Sequence, residues 1–338
     1  MQRRTTLLVL MAAAIALGAG TDHAQAQKRG GILKFAVSAE PPDYDCHAAT
    51  SFAFIHPVRP HYNTLLKFDE PNYPKVKGDL AQSWEVSPDG LTYTFRLKPN
   101  VKFHDGTPMT SADVKASYER IVNPPPGVRS VRKVAYEDIT AIETPDPLTV
   151  IFRLKARNAS MLTNFASPWD CIYSAAKIKA DPKFPEKNIL GTGPFKFVEF
   201  KPDSHVKLVR NDLYYQKPYL DEITVKIIPD QNVSLVALES NDVQVTEILP
   251  SPEVPRMMKN DKFKVYPSPT YAYRYAAFNC KKEPFTDPKL RKALTMALDI
   301  DAGIKAIFPE GVAIRAYGPV PKNIVGYDES LKDLWTFD

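Results

Sequence analysis

Cysteine is scarce in this chain. Its 338 residues carry three, Cys46, Cys171 and Cys280, and no two stand in a C-x-x-C spacing. That excludes a metal or redox motif of this type, and in an oxidising compartment at most one pair closes within the chain. Which pair closes is not readable from the spacing. Glycine is also sparse, 14 residues against 31 prolines. So many rigid turns suit a loop-rich α+β protein with short strands better than a helical bundle. Catalytic motifs are missing too: there is no H-E-x-x-H, no G-x-S-x-G and no P-loop. Ser174-Ala175-Ala176-Lys177 matches S-x-x-K, but no S-D-N or K-T-G follows it. No enzyme is expected, with no catalytic residues, no metal site and no cofactor.

Neither sign of charge dominates. The formal charge is +5, and it becomes +4 once Arg3, Arg4 and Asp22 are set aside with the amino-terminal segment. Mixed signs leave no nucleic-acid patch, and the cluster Arg129 to Lys133, broken by Ser130 and Val131, reads as a solvated loop. Long hydrophobic runs are absent after Ala19. The one that exists, Leu7 to Ala19, follows Arg3 and Arg4, is too short to span a bilayer and precedes Ala24-Gln25-Ala26. It reads as a cleavable secretory signal (1–26), with a mature chain from Gln27 in the periplasm. No cysteine stands at the cleavage point, so no lipid anchor is indicated. The arginine pair lacks the rest of a twin-arginine pattern, so the export route stays open. The remaining length of about 310 residues suggests two domains or one large composite one.

The stretch Leu80 to Val114, "LAQSWEVSPDGLTYTFRLKPNVKFHDGTPMTSADV", carries most of the local signal. Leu91, Tyr93, Phe95 and Leu97 alternate with polar residues, the period of a half-buried strand. Pro88-Asp89-Gly90 supplies a turn, so Trp84 to Ser87 is predicted as the partner strand. Val101 to Phe103 is predicted as a short strand and His104 to Pro108 as a turn. Thr110, with Asp113 three positions on, is placed to cap a helix whose Val114, Tyr118 and Ile121 form a packing stripe. His104 and Asp105 have no further ligand at useful spacing, so they read as scaffold.

In order and wording, this stretch resembles the signature region of family 5 extracellular solute-binding proteins, the dipeptide, oligopeptide and nickel-binding receptors of ABC importers. The resemblance continues through "ILGTGPFKFVEF" (189–200), "LVRNDLYY" (208–215) and "FNCKKEPFTDPKLRKALTMALDID" (278–301). It implies a mixed α/β (α+β) two-lobe fold of the periplasmic binding protein class II type with an extra subdomain. Lobe I takes 27–78 and 188–265, with 79–187 as an inserted subdomain, and 266–338 begins an incomplete second lobe. Family members continue beyond the position matching Asp338, so the chain reads as C-terminally truncated.

Other elements are read locally. Ile32 to Val37 is predicted as the first strand and Ser51 to Leu66 as a helical segment. Leu148 to Leu154, Phe195 to Phe200, His205 to Arg210 and Ile223 to Ile228 are predicted strands, with a helix near Val233 to Ser240. Gly191-Thr192-Gly193-Pro194 leads into a strand and lacks Lys-Ser/Thr, so it reads as a tight turn rather than a phosphate cradle. Gln244 stands where the family usually has an acidic residue. His56 and His61 are five apart, about 140° round a helix, and with Cys46 and His47 make only a weak candidate metal set.

The resemblance implies a solute gripped by hinge closure and passed to an ABC permease. Peptides lead, with nickel chelates, haem and oligosaccharides also taken in the family. The chain is expected to be a monomer without a nucleic-acid partner. Thr50 and Phe52, just beyond Tyr44-Asp45, are the candidate cleft residues of the first lobe. Tyr271, Tyr273 and Tyr275, which project to one face of an extended segment, and Asn279 are the candidates near the hinge. The alternative is a truncated, non-clamping paralogue acting as an interaction or chaperone-like protein.

Overall fold

The computed structural model describes residues 28–266, 273–322, 324–333 and Phe337. From the amino end run β1 (Ile32–Val37), α1 (Phe52–Val58), β2 (Leu66–Phe68), β3 (Val76–Gly78), β4 (Ala81–Val86) and β5 (Thr92–Leu97). Next come α2 (Ser111–Val122), β6 (Ile139–Asp146), β7 (Thr149–Leu154), α3 (Met161–Asn164), α4 (Ala175–Ala180) and α5 (Phe184–Lys187). The remainder is β8 (Phe195–Lys201), β9 (His205–Arg210), β10 (Glu222–Ile227), α6 (Gln231–Glu239), β11 (Val245–Thr246), α7 (Val254–Met258), α8 (Pro288–Met296) and α9 (Ile300–Ile307).

Two sheets organise these elements. One has the order β11-β1-β10-β9-β8, with β1 parallel to both β10 and β11 and the rest antiparallel. The other is antiparallel in the order β4-β5-β7-β6. Its hairpin forms as its turn chemistry requires: Gly90 takes φ +70°, and its N–H donates to Ser87 O at 2.8 Å. Tyr93, Phe95 and Leu97 point inward against Val150, Phe152 and Leu154. The predicted stripe Val114, Tyr118 and Ile121 on α2 is fully buried on this face. Phe165 fills the middle, 4.7 Å from the Phe152 ring and 5.0 Å from that of Phe95. Asp113 works in two directions: Oδ2 accepts from Thr110 N at 2.7 Å, and Oδ1 accepts from Ala175 N at the start of α4 at 2.8 Å.

The structure corrects two local expectations. The helical segment expected from Ser51 to Leu66 ends at Val58, passes through a 3-10 turn at Arg59–His61, and gives way to the strand Leu66–Phe68. Pro60 has no N–H to continue the ladder, and Leu65 and Leu66 go into the core. Val101 to Phe103 makes only an isolated bridge, Lys102 to Pro108.

A buried polar seam joins the sheets. Asp45, on the loop leaving β1, meets Arg120 of α2 through two bonds, Nη1 to Oδ1 at 3.1 Å and Nη2 to Oδ2 at 2.6 Å. Tyr173 Oη donates to the same carboxylate at 3.1 Å, and Cys46, next to Asp45, forms a disulfide with Cys171. Cys280 stays free. The predicted tight turn at 191–194 packs on the 3-10 turn. A Cβ on Gly191 would lie 2.0 Å from His61 O, and one on Gly193 would lie 2.4 Å from His61 C, so only glycine fits. His104 Nε2 and Asn211 Nδ2 both donate to Gly193 O, at 3.1 and 2.9 Å.

Beyond this seam packing thins out. Among the described residues none after Met257 is buried, and Leu298, Ile307 and Ile314 are exposed. No described helix is long and apolar enough to cross a membrane.

Two predictions follow from the buried groups. Arg120→Met leaves the Asp45 carboxylate buried without its cation and is expected to cost about 3–5 kcal/mol, read as a lower urea midpoint; an unchanged midpoint would refute it. The second concerns acid. Burial pushes His47 and His104 down to about 4 and His61 to about 3, from an ordinary 6.5. Below pH 6.5 unfolding therefore takes up protons at these three sites, which favours the unfolded chain. Asp170 opposes them, because burial raises its carboxyl from 3.8 to about 7 and the folded state holds a proton that the unfolded state releases. For these four groups the net uptake on unfolding near pH 5.5 is about two protons, which lowers stability by roughly 2 kcal/mol per pH unit between pH 6 and 5. Urea titrations at those two pH values measure it, and a flat result would contradict it.

Candidate functional site

Because β1, β10 and β11 run parallel, their carboxyl ends, Val37, Ile227 and Thr246, share one edge of the sheet. In open sheets of this kind ligands settle outside the carboxyl ends of the strands. Here the edge carries Ser38, just after β1, and Glu247, just after β11. Glu247 Oε1 accepts from Ser38 N at 2.8 Å and from Ser38 Oγ at 2.5 Å. Its Oε2 lies 3.2 Å from His56 Nε2 on α1. Ser51 caps α1, with Oγ accepting from Ala53 N at 3.2 Å.

The helix buries Phe54, Pro57 and Val58 and leaves Phe52 72% exposed at its first turn. The Phe52 ring lies 6.5 Å from that of His56 in a stacked arrangement, and Phe35 of β1 meets His56 edge-on at 5.3 Å. Burial lowers the His56 pKa, and the Glu247 carboxylate partly offsets that.

The residues singled out from sequence fall into two groups. Thr50 and Phe52 sit together at this edge, both exposed. Tyr271 lies outside the described residues. Tyr273 and Tyr275 have their rings 5.3 Å apart and are 37% and 74% exposed, so neither is core here. Asn279 is exposed in a turn, with Oδ1 accepting from Lys281 N at 3.2 Å. Among the described residues no hydrogen bond or ring contact joins the two groups. Sequence reasoning missed Ser38 and Glu247 and weighed His56 only as a metal ligand. The available signal was a lone carboxylate in the apolar stretch "VQVTEILP" (243–250).

Other candidates do not assemble. Cys46 is taken by the disulfide, His47 Nε2 donates to Cys171 O at 3.0 Å, and His61 Nδ1 lies 3.0 Å from Phe195 O. Among the described residues no cluster of three or more metal-ligating side chains occurs. Ser174 is buried while Lys177 is exposed, and no hydrogen bond joins them. A cavity of about 720 Å³ opens elsewhere, over Tyr44, Phe197 and Phe200 and beside Lys177. None of Thr50, Phe52, Tyr273, Tyr275 and Asn279 lines it, and neither do Ser38, His56 and Glu247.

Residues 75–338 match the family described as "Bacterial extracellular solute-binding proteins, family 5 Middle". The chain belongs to this family. Among relatives of this family 5 chain is the glutathione-binding protein GsiB of Pectobacterium atrosepticum, 35% identical over 82% of this chain and 53% of that protein. Another is di/tripeptide-binding protein 2 of Pseudomonas aeruginosa, 33% identical over 99% of this chain and 65% of the relative. The solved structure of the periplasmic binding protein DppA from Helicobacter pylori, in complex with the peptide STSA, superposes with a TM-score of 0.82 at 29% identity. That match covers 92% of this chain and 64% of the other. The family 5 chain therefore spans between about half and two thirds of the length of these relatives. Its mixed α/β architecture is the one expected from the sequence, the fold of the two-lobe periplasmic binding proteins.

Proposed function

We propose that this family 5 chain acts as the solute receptor of an ABC importer in the periplasm, binding a short peptide and passing it to the permease. The observation that carries this reading is the carboxyl edge of β1, β10 and β11, where the Glu247 side chain is held by Ser38 and His56 and the exposed Phe52 ring stacks on His56, two positions after Thr50 in the chain. Such an edge offers an apolar surface together with fixed polar groups, the combination that small-solute sites use. Relatives named for glutathione and for di- and tripeptides support the choice of solute. In this reading 27–78 and 188–265 form the first lobe, 79–187 its side subdomain and 266–338 the start of a second lobe. Tyr273, Tyr275 and Asn279 approach the solute from the hinge, and Tyr271 stands beside them in sequence. Closure buries the solute between the two surfaces.

A second reading, a non-clamping interaction protein, draws on the fact that no described residue beyond Met257 is buried. Thermal unfolding with and without millimolar reduced glutathione or trialanine separates the two. A receptor gains stability by mass action, about 2.7 kcal/mol at a hundred times its Kd. Tyr273→Ala with Tyr275→Ala is expected to weaken that binding at least tenfold while keeping the ligand-free melting temperature. No ligand shift with either peptide favours the second reading, and unchanged affinity removes the tyrosines from the site.

A further inference from the structure

The side chain of Glu247 is only 13% exposed, and its carboxylate is contacted by Ser38 and, at Oε2, by the titratable imidazole of His56. Among the described residues no lysine or arginine lies within ion-pair distance of it. A carboxylate withdrawn this far from water ordinarily has a cation, because the desolvation cost otherwise stands uncompensated.

Fastening β11 to β1 does not explain the charge. That task is performed one turn of chain earlier by an amide. Gln244 Oε1 accepts from Lys34 N at 2.9 Å, its backbone N–H donates to Lys34 O at 2.9 Å, and its Nε2 donates to Asn241 O at 3.2 Å. A neutral glutamine at 247 would satisfy Ser38 equally well. The side chain at this carboxyl edge of the parallel strands is instead a carboxylic acid. Beside it stands the exposed ring of Phe52, which offers a flat face to a methylene stem or a guanidinium.

We propose that Glu247, oriented by Ser38 and His56, is a specificity-determining acceptor for a cationic side chain of the bound solute. The inference rests on the peptide-receptor reading and narrows it to peptides bearing lysine or arginine. Phe52 and Thr50 supply the wall, and the ligand's ammonium or guanidinium supplies a permanent counter-charge beside the titratable His56.

Calorimetry on the full chain tests it with Lys-Ala-Ala, Ala-Lys-Ala, Ala-Ala-Lys and the matching norleucine peptides, which keep the stem and lose the charge. At least one lysine peptide should bind about tenfold tighter than its norleucine counterpart. In Glu247→Gln that ratio should fall to near one, and Glu247→Asp, which retains the charge, should restore part of it. A wild-type ratio near one overturns the proposal, as does a ratio that survives Glu247→Gln. The wild-type ratio decides even if the glutamine variant does not fold. If the wild type binds none of the six peptides, the peptide-receptor reading itself falls and the proposal with it. Binding of all six without charge preference sinks the Glu247 assignment alone.

Discussion

The bond that the rest of the molecule depends on is the buried pair of Asp45 and Arg120. Two parallel hydrogen bonds join the loop leaving the first strand of one sheet to the helix that covers the other. The surroundings meet the remaining needs of both ions. Tyr173 Oη and His47 N donate to the carboxylate, and Arg120 Nε and Nη2 donate to Pro182 O. Full hydrogen bonding is what allows an ion pair to survive burial, since the low dielectric raises the cost of any unmatched charge. The Cys46–Cys171 disulfide beside it closes a loop of 125 residues, which restricts the unfolded chain far more than a local staple does. Both cross-links hold the segment that ends at Thr50, Ser51 and Phe52. The candidate site therefore inherits its position from a polar seam well below the surface.

The motifs that stand out in the sequence do structural work at that same junction. The turn after Phe103, the Gly191 to Pro194 turn and Asn211 all converge on Gly193 O and the His61 backbone. Their chemistry looks catalytic in one dimension, with a histidine, an aspartate and paired glycines. In three dimensions the glycines allow close backbone approach, and the histidine is held neutral by burial. This explains why the scaffold reading of His104 and the tight-turn reading of Gly191 to Pro194 agree with the fold.

Legibility followed the range of the interaction. The hairpin at Gly90, the α2 cap and stripe, and the strands at 195, 205 and 223 depend on neighbours within a few residues, and the sequence displayed them. The strand Ile139–Asp146 carries Glu143, Thr144, Pro145 and Asp146, so its pattern is diluted and only its pairing with β7 reveals it. The end of α1 was hidden because Leu65 and Leu66 suit a helix as well as a strand until the core claims them. The disulfide partner of Cys46 could not be read at all, since it lies 125 residues away. At the candidate site the same rule held: Thr50 and Phe52 came from a resemblance carried by adjacent residues, whereas Ser38 and Glu247 are 209 residues apart and meet only through parallel pairing of β1 and β11.

Parallel pairing also fixes what this edge can do. Antiparallel neighbours place opposite chain ends together, but β1, β10 and β11 end in the same direction, so three loops leave the sheet side by side. Among the described residues, the hydrophobic clusters beneath them draw no member from beyond Met257. A face built this way is ordered before a ligand arrives, which lowers the entropy that binding must overcome. In the free state the apolar Phe52 ring stays exposed, while the Glu247 side chain is largely withdrawn from water. Under the proposed reading, a small solute that carries both an apolar stem and a positive charge covers the one and pairs with the other, so a single ligand answers both features of the edge.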